Sequence, residues 1–284
     1  MLLNPLTFHS PKSLNEAVKL FSELPNPRLQ AGGTFLLNSL KLSKKKGLKT
    51  PDHVIALNKV PELKGIILEK NQLIIKAMTT IDELFESRDL VDNFAVFKIV
   101  CRNISTQQIR NAASVGGNLT CRYTWTEMPA AMIGLGAKMH FIGIDAKEET
   151  LDAENFFQNA AKTDKIFTHV SIPREPKALI AYRRVKKTQF VDIPLLSMLI
   201  KTSIQNNQFT NTIISINNCV DFAQRDKTLE DFLNKNKVTP TFAEEALKHL
   251  DEKIYEKRSS DYKKHMFHHC IKSSLEEIIG KIKK

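Results

Sequence analysis

The sequence predicts an α+β fold, because helix signals and antiparallel-strand signals occur side by side along the chain. Residues 13–16 and 80–83 each have the Ser/Thr-x-x-Glu spacing of a capping box, which marks the start of a helix. Two short β-rich runs, 65–68 and 73–76, are separated by a polar turn and predict a hairpin. A chain of 284 residues without repeats has room for two domains or more.

In the first half of the chain, apolar spacing and helix breakers place each element. Leu14, Val18 and Phe21 form the apolar face of a helix over residues 13–24, and Pro25 ends it. In chain order we further expect a strand at 28–31, a helix at 36–42, a strand at 53–57, the hairpin, a short helix to about residue 87, helices at 94–102 and 128–135, and strands at 138–142 and 167–172.

Pro173 and Pro176 mark the best candidate for a domain boundary, because closely spaced prolines interrupt regular structure. Beyond them, three strand-like runs precede a helical C-terminal part, so the α+β pattern continues. The expected strands are 179–185, 195–202 and 209–216, and the expected helices are 229–234, 242–255 and 261–281.

Two glycine pairs, Gly32-Gly33 and Gly116-Gly117, stand out in a chain with only 10 glycines. Glycine permits a positive φ, or a close approach that a Cβ would prevent. Small or hydroxylated residues flank both pairs, and loops of this kind direct backbone N–H groups towards an anion such as a pyrophosphate. Neither pair belongs to a dinucleotide fingerprint or a P-loop. The alternative interpretation is that both pairs are tight turns.

Charge and cysteine content argue against several classes of function. The net charge is +11, but no basic run is interleaved with aromatic residues, so we expect no nucleic-acid binding. A basic face for an acidic partner protein, or a lysine-rich proteome, explains the charge better. The four cysteines include no Cys-x-x-Cys, and His265 and His269 alone have ligand-like spacing, so no metal site is predicted. No apolar run has membrane-spanning length and the N-terminus lacks a signal-peptide pattern, so we expect a cytoplasmic protein.

Six motifs together resemble the FAD-binding subunit of the xanthine dehydrogenase and carbon monoxide dehydrogenase family of molybdenum hydroxylases. Any one motif alone would be weak evidence, but all six occur in the family's order and cover nearly the whole chain. They are AGGTFLL (31–37), ALNKVPELKGI (56–66), KAMTTIDEL (76–84), QIRNAASVGGN (108–118), YRRVKKTQFVDIP (182–194) and RSSDYKKHM (258–266).

The resemblance implies a two-lobed FAD-binding domain at residues 1–175, with lobes at about 1–57 and 58–175. It also implies a smaller C-terminal α+β domain at 176–284, an antiparallel sheet with helices. FAD would lie between the lobes, and backbone N–H groups of the two glycine pairs would hold its pyrophosphate. The cofactor-binding residues that the resemblance implies are Leu29, Ala31, Gly32, Gly33, Thr34, Phe35, Leu36, Ile109, Ser114, Gly116, Gly117, Asn118, Glu127, Arg184 and Ile193.

Three of these residues are assigned to the flavin end of FAD. Glu127 stands where the family has an aspartate, so its contact to a ribityl hydroxyl is made by a side chain one methylene longer. Arg184 replaces a lysine and keeps a positive charge, which would stabilise an anionic reduced flavin. Ile193 occupies the position that packs on one face of the flavin ring.

The chain departs from the family pattern at two places. Phe35 replaces an aspartate, which removes a polar contact but leaves the backbone N–H groups. Arg122, Tyr123 and Trp125 stand where the family has small residues. These bulky side chains either fill the cleft floor or a subunit interface, or they alter access for the electron acceptor.

The resemblance implies an FAD-dependent oxidoreductase subunit that transfers electrons and has no catalytic side chain of its own. A molybdopterin subunit would oxidise the substrate, and an iron–sulfur subunit with [2Fe–2S] clusters would relay the electrons. FAD would then pass them to NAD⁺ or another acceptor. Two alternatives stay open: a stand-alone flavin oxidoreductase, or a degenerate subunit that no longer binds FAD and serves as an assembly scaffold.

Overall fold

The computed structural model describes residues 3–121, 123, 125–159, 164–255 and 260–282. The α+β prediction is confirmed, since the described residues form a three-stranded, a five-stranded and a four-stranded sheet, each accompanied by helices. None of the helices in this part of the chain is long and apolar enough to cross a bilayer.

The first sheet consists of β1 (Thr7–His9), β2 (Pro27–Gln30) and β3 (His53–Ala56), which are all parallel and have the order β1-β3-β2. Helices α1 (Leu14–Glu23) and α2 (Leu36–Lys45) lie in the crossovers that parallel strands require. The sequence analysis missed the short strand β1 and ended α2 too early. The loop between β2 and α2 contains the first glycine pair.

The second sheet is antiparallel and has the order β4-β5-β8-β6-β7, made of β4 (Ile66–Leu68), β5 (Gln72–Lys76), β6 (Lys138–Gly143), β7 (Glu148–Asp152) and β8 (Lys165–Pro173). Strands β4 and β5 form the predicted hairpin. Strand β7 was missed because it is a polar edge strand without the apolar residues that signal a strand. Six helices accompany this sheet: α3 (Ile81–Glu86), α4 (Val96–Arg102), α5 (Gln107–Arg110), α6 (Val115–Thr120), α7 (Met128–Gly134) and α8 (Ala153–Gln158).

The second glycine pair lies in a helix, so the prediction of a loop there is wrong. Gly116 and Gly117 are in the first turn of α6, and the hydroxyl of Ser114 caps that helix by accepting the N–H of Gly117. Glycine is required at position 116 because a Cβ there would lie 2.7 Å from the carbonyl oxygen of Ala77. Glycine at position 116 therefore indicates a close approach of two backbone segments rather than a turn.

The third sheet is antiparallel, with the order β12-β11-β10-β9. Its strands are β9 (Leu179–Val185), β10 (Leu196–Gln205), β11 (Gln208–Asn217) and β12 (Gln224–Arg225). The three long strands were predicted. The described C-terminal helices are α9 (Lys227–Lys235), α10 (Phe242–Ala246), α11 (Glu252–Tyr255) and α12 (Asp261–Ile282).

The third sheet is buried on both faces. Tyr182 and Leu199 join the core beneath the second sheet, whereas Met198 and Ile200 pack under the C-terminal helices. Because residues from both sides of the expected boundary at residue 175 share one core, the division into domains stays a prediction.

One predicted C-terminal helix is interrupted. Residues 242–255 form α10, a 3-10 turn at Leu247–His249 and α11 rather than one continuous helix. The buried carboxylate of Asp226 accepts both the N–H of Asp251 and the hydroxyl of Tyr255, which holds the chain out of helical geometry between the two helices. Arg258 and Ser259, in the last family-like motif, lie outside the described residues.

Candidate cofactor site

The first glycine loop, residues 31–35, offers a row of unpaired hydrogen-bond donors. Gly33 has a φ of +73°, a conformation that favours glycine. Among the described residues, the backbone N–H groups of Gly32, Gly33, Thr34 and Phe35 have no hydrogen-bond partner. Helix α2 begins directly after them, and Phe35 at its N-cap provides no side-chain cap. Unpaired N–H groups at the start of a helix attract anions.

The second glycine segment, residues 114–118, lies against the first glycine loop. A Cβ on Gly32 would lie 2.1 Å from the carbonyl oxygen of Ala112, and a Cβ on Gly117 would lie 3.3 Å from the Cβ of Ala31. Only glycine at position 32 permits the two chain segments to approach so closely. The structure therefore brings together the two motifs that the sequence analysis had selected separately.

The two segments differ in their free polar groups. The N–H of Gly116 donates to the carbonyl oxygen of Ala77 at 2.8 Å, and the N–H of Gly117 donates to the hydroxyl of Ser114 at 3.1 Å. In contrast, the buried Oδ1 of Asn118 has no hydrogen-bond partner among the described residues. The glycine N–H groups of this segment are thus used within the protein, and their part in holding a cofactor stays a prediction. Asn118 offers a free acceptor instead.

Glu127 and Arg184 form a buried ion pair, with side chains that are 5% and 6% exposed. Nε of Arg184 donates to Oε1 of Glu127 at 2.8 Å, and Nη2 lies 2.6 Å from the same oxygen in the ion pair. Nη2 donates its hydrogen bond to the carbonyl oxygen of Asp192 at 2.5 Å. Oε2 of Glu127 is buried and has no hydrogen-bond partner among the described residues. Burial raises the pKa of Glu127 to about 7, although the charge of Arg184 favours the ionised carboxylate.

Two asparagines that the sequence analysis did not select fix the position of Glu127. The carbonyl oxygen of Thr126 accepts hydrogen bonds from Nδ2 of Asn217 at 2.6 Å and from Nδ2 of Asn218 at 3.3 Å. The hydroxyl of Ser197 in turn donates a hydrogen bond to Oδ1 of Asn218 at 2.5 Å. The available sequence signal was a pair of asparagines that ends a strand-like run, where the amide side chains can bond neighbouring backbone.

An aromatic cluster of Phe35, Tyr123 and Trp125 joins the first glycine loop to the chain that follows α6. The rings of Tyr123 and Trp125 are stacked with their centroids 4.2 Å apart, and the ring of Phe35 meets Tyr123 edge-on at 4.6 Å. Phe35 and Trp125 are still 38% and 40% exposed. The family-atypical side chains therefore contact one another beside the unpaired N–H groups. Arg122 lies outside the described residues.

For the other predicted site residues the structure gives burial and local packing, and their part in holding a cofactor stays a prediction. Leu29 is partly buried and packs against the N-terminal core. Leu36 is half-buried, and Ile109 is exposed on α5. Ile193 is 59% exposed in the loop between β9 and β10. Within the described ranges, no group of three or more His, Cys, Asp or Glu side chains is arranged to hold a metal ion.

Comparison with known proteins gives a family match over more than half of the chain. The FAD binding domain in molybdopterin dehydrogenase matches residues 4–175. The carbon monoxide dehydrogenase medium chain of Hydrogenophaga pseudoflava is 28% identical over 186 residues, 63% of this chain and 63% of that protein. The medium chain from Afipia carboxidovorans is 30% identical over 193 residues, 66% of this chain and 65% of that protein. These two matches span just under two thirds of each relative's length.

Solved structures show the same fold over nearly the whole chain. A carbon monoxide dehydrogenase from Hydrogenophaga pseudoflava, described as lacking the Mo-pyranopterin moiety of the molybdenum cofactor, has a chain that matches with a TM-score of 0.87 at 24% identity, covering 97% of this chain and 98% of that one. A chain of quinoline 2-oxidoreductase from Pseudomonas putida 86 matches with a TM-score of 0.82 at 22% identity, covering 99% and 98%.

Proposed function

The chain belongs to the family of FAD binding domains in molybdopterin dehydrogenases, and on this premise we propose that it is the FAD-binding electron-transfer subunit of a multi-subunit molybdenum hydroxylase. The observation that carries the proposal is the row of backbone N–H groups from Gly32 to Phe35, which have no partner in the part of the chain that the structure describes. FAD contains a pyrophosphate, and such a row at the start of a helix binds that kind of anion.

Other residues of the site also fit FAD. The buried and unpartnered Oδ1 of Asn118 and Oε2 of Glu127 would accept hydrogen bonds from its hydroxyl groups. Arg184 would place a positive charge near the flavin, where it favours added negative charge. Ser114, through its cap on α6, would hold the second glycine segment against the loop that binds the pyrophosphate. When bound, FAD supplies the exchange of single electrons for electron pairs.

The electron path is part of the same proposal. Electrons would come from a [2Fe–2S] partner subunit, which receives them from a molybdopterin subunit, and they would leave to NAD⁺ or another acceptor. Support comes from the names of the relatives, which are called medium chains of carbon monoxide dehydrogenase. A cytoplasmic location belongs to this proposal as well.

A first test compares two glycines with similar backbones. Gly33 and Gly47 have φ values of +73° and +68°, but Gly47 lies in the turn after α2, away from the first glycine loop. Replacing either one with alanine should cost about 1 kcal/mol of stability through backbone strain. We expect Gly33→Ala to weaken FAD binding at least about tenfold, because strain there displaces the N–H groups, and Gly47→Ala to bind FAD as the wild type does.

The measurement is FAD stoichiometry from the visible absorbance of the purified chain, followed by titration of the FAD-free chain with FAD. About one FAD per chain in the wild type supports the proposal. Full FAD affinity in Gly33→Ala would contradict the assignment of the loop. A colourless wild-type protein that binds no added FAD would favour the scaffold alternative.

The partners are tested by elemental analysis of the protein purified from its own cells. Iron and molybdenum in constant ratio to FAD would support the multi-subunit assembly. An FAD-loaded chain without iron that NADH reduces directly would instead support the stand-alone flavin oxidoreductase.

A further inference from the structure

The buried pair of Glu127 and Arg184 is unbalanced. Both Nε and Nη2 of Arg184 lie against the same oxygen, Oε1, to which Nε donates, while Nη2 donates to the carbonyl oxygen of Asp192. Among the described residues Oε2 therefore has no hydrogen-bond partner, although Glu127 is only 4% exposed. An ionised carboxylate is an acceptor on both oxygens, so a bare oxygen in a buried site disfavours the charged form.

A second buried pair in the same chain shows the balanced arrangement. Glu230 is also 4% exposed, but both of its oxygens are bonded. Oε1 accepts from the N–H of Ile214 at 2.8 Å and from Nε of Arg225 at 2.9 Å, while Oε2 accepts from Nη2 of Arg225 at 2.6 Å. Equal burial with different bonding makes Glu230 a matched control for Glu127.

We propose that Glu127 carries a proton in the FAD-free protein and releases it to solvent when FAD binds, so that FAD affinity rises with pH around neutrality. This inference rests on the proposed FAD site. The hydroxyl groups of FAD are the donors that the bare Oε2 lacks. A hydrogen bond donated to Oε2 stabilises the carboxylate, and the proton leaves as the bond forms.

Of Glu127 and the titratable groups that face it, Glu127 is the group that changes charge near neutral pH. Arg184 and Lys186 contribute positive charge, which favours the carboxylate. Burial raises the pKa of the Cys101 thiol to about 12 and raises the pKa of Tyr182 well above its ordinary value, so both stay neutral. The pKa of Glu127 itself is raised by burial to about 7, which places its titration in the accessible range.

The direction of the effect follows from linkage. FAD binds the ionised form of Glu127, so below the pKa of the free carboxyl each binding event must also displace a proton. The dissociation constant for FAD should therefore fall about tenfold between about pH 6 and pH 8 and then level off. If FAD instead accepted a hydrogen bond from the protonated carboxyl, the dissociation constant would rise with pH.

Calorimetric titration of the FAD-free full chain with FAD tests this directly. Measured in two buffers of different ionisation enthalpy, the binding heats give the number of protons exchanged. We expect release of about 0.9 proton at pH 6 and about 0.1 at pH 8. Glu127→Gln should abolish both the release and the pH dependence, whereas Glu230→Gln should leave both as in the wild type.

The outcomes separate this inference from the proposed function. FAD binding with no proton release at pH 6, or with proton uptake, would overturn the inference and leave the FAD site standing. The same release in Glu127→Gln would assign the proton to another group and overturn it as well. Failure of the wild type to bind FAD at all would overturn the proposed function. If Glu127→Gln does not fold, as judged by circular dichroism, the wild-type proton count alone decides.

Discussion

The two glycine pairs have the same sequence signature and different structures. The first pair lies in a loop, with a positive φ at Gly33 and unpaired N–H groups. The second pair lies in the first turn of α6, and its N–H groups donate to Ala77 and Ser114. What the pairs share is crowding, because a Cβ on Gly32 or Gly116 would collide with a neighbouring carbonyl oxygen.

This difference separates two uses of glycine at one site. In the proposed site the first loop would present donors to the pyrophosphate, and the second segment is the surface against which that loop packs. In this chain both glycine pairs mark a close backbone approach, whereas only the first also has a positive φ and unpaired N–H groups among the described residues. This comparison can be tested with substitutions, two of which have a matched control substitution elsewhere in the chain.

The largest effect is expected for Gly116→Ala. A Cβ would lie 2.7 Å from the carbonyl oxygen and 2.9 Å from the Cβ of Ala77, and neither atom belongs to a flexible side chain. The free energy of unfolding should fall by about 3 kcal/mol. Gly280→Ala is the control, because this glycine is also helical but has nothing within 4 Å, so alanine should raise stability by about 0.5 kcal/mol. Urea unfolding followed by circular dichroism measures both, and equal effects would refute crowding at Gly116.

An intermediate effect is expected for Ser114→Ala, which removes the cap of α6. Ser114 is 1% exposed and Gly117 is half-buried, so the N–H of Gly117 would lose its partner where water has little access, at a cost of about 2 kcal/mol. Ser13 caps α1 in the same way, with its hydroxyl 3.2 Å from the N–H of Glu16, but at an exposed position. Ser13→Ala should therefore cost about 0.5–1 kcal/mol. If the two variants lowered the denaturation midpoint by similar amounts, burial at Ser114 would not increase the stability cost of losing the cap.

The smallest effect is expected for Phe35→Leu, which removes an aromatic contact but no N–H group. Loss of the edge-on contact with Tyr123 should cost about 0.5–1 kcal/mol, because Phe35 is partly exposed. Trp125 is the only tryptophan of the chain, so a red shift of its fluorescence would report the loosened cluster. FAD affinity should stay within about threefold of the wild type. A loss as large as that of Gly33→Ala would assign cofactor binding to the ring rather than to the backbone.

Local patterns in the sequence were enough to identify the separate elements. The capping box at Thr80 and Glu83 forms as predicted, and so do the hairpin and the three long strands of the third sheet. These elements depend on neighbours within a few residues, and that information is present in the chain order. Strand β7 was missed although its partner β6 directly precedes it, because an exposed edge strand can be polar and then lacks the apolar alternation that identifies a strand.

The sequence by itself determined the α+β class, the family, and the two glycine pairs as positions with a special backbone requirement. Only the tertiary structure decided which of the two glycine pairs keeps free N–H groups, because that depends on whether Ala77 and Ser114 are near enough to accept them. It also decided that Arg184 binds one oxygen of Glu127 and leaves the other bare. Hydrogen bonds between residues 57 positions apart in the chain depend on distance and direction in the folded protein, and sequence spacing encodes neither.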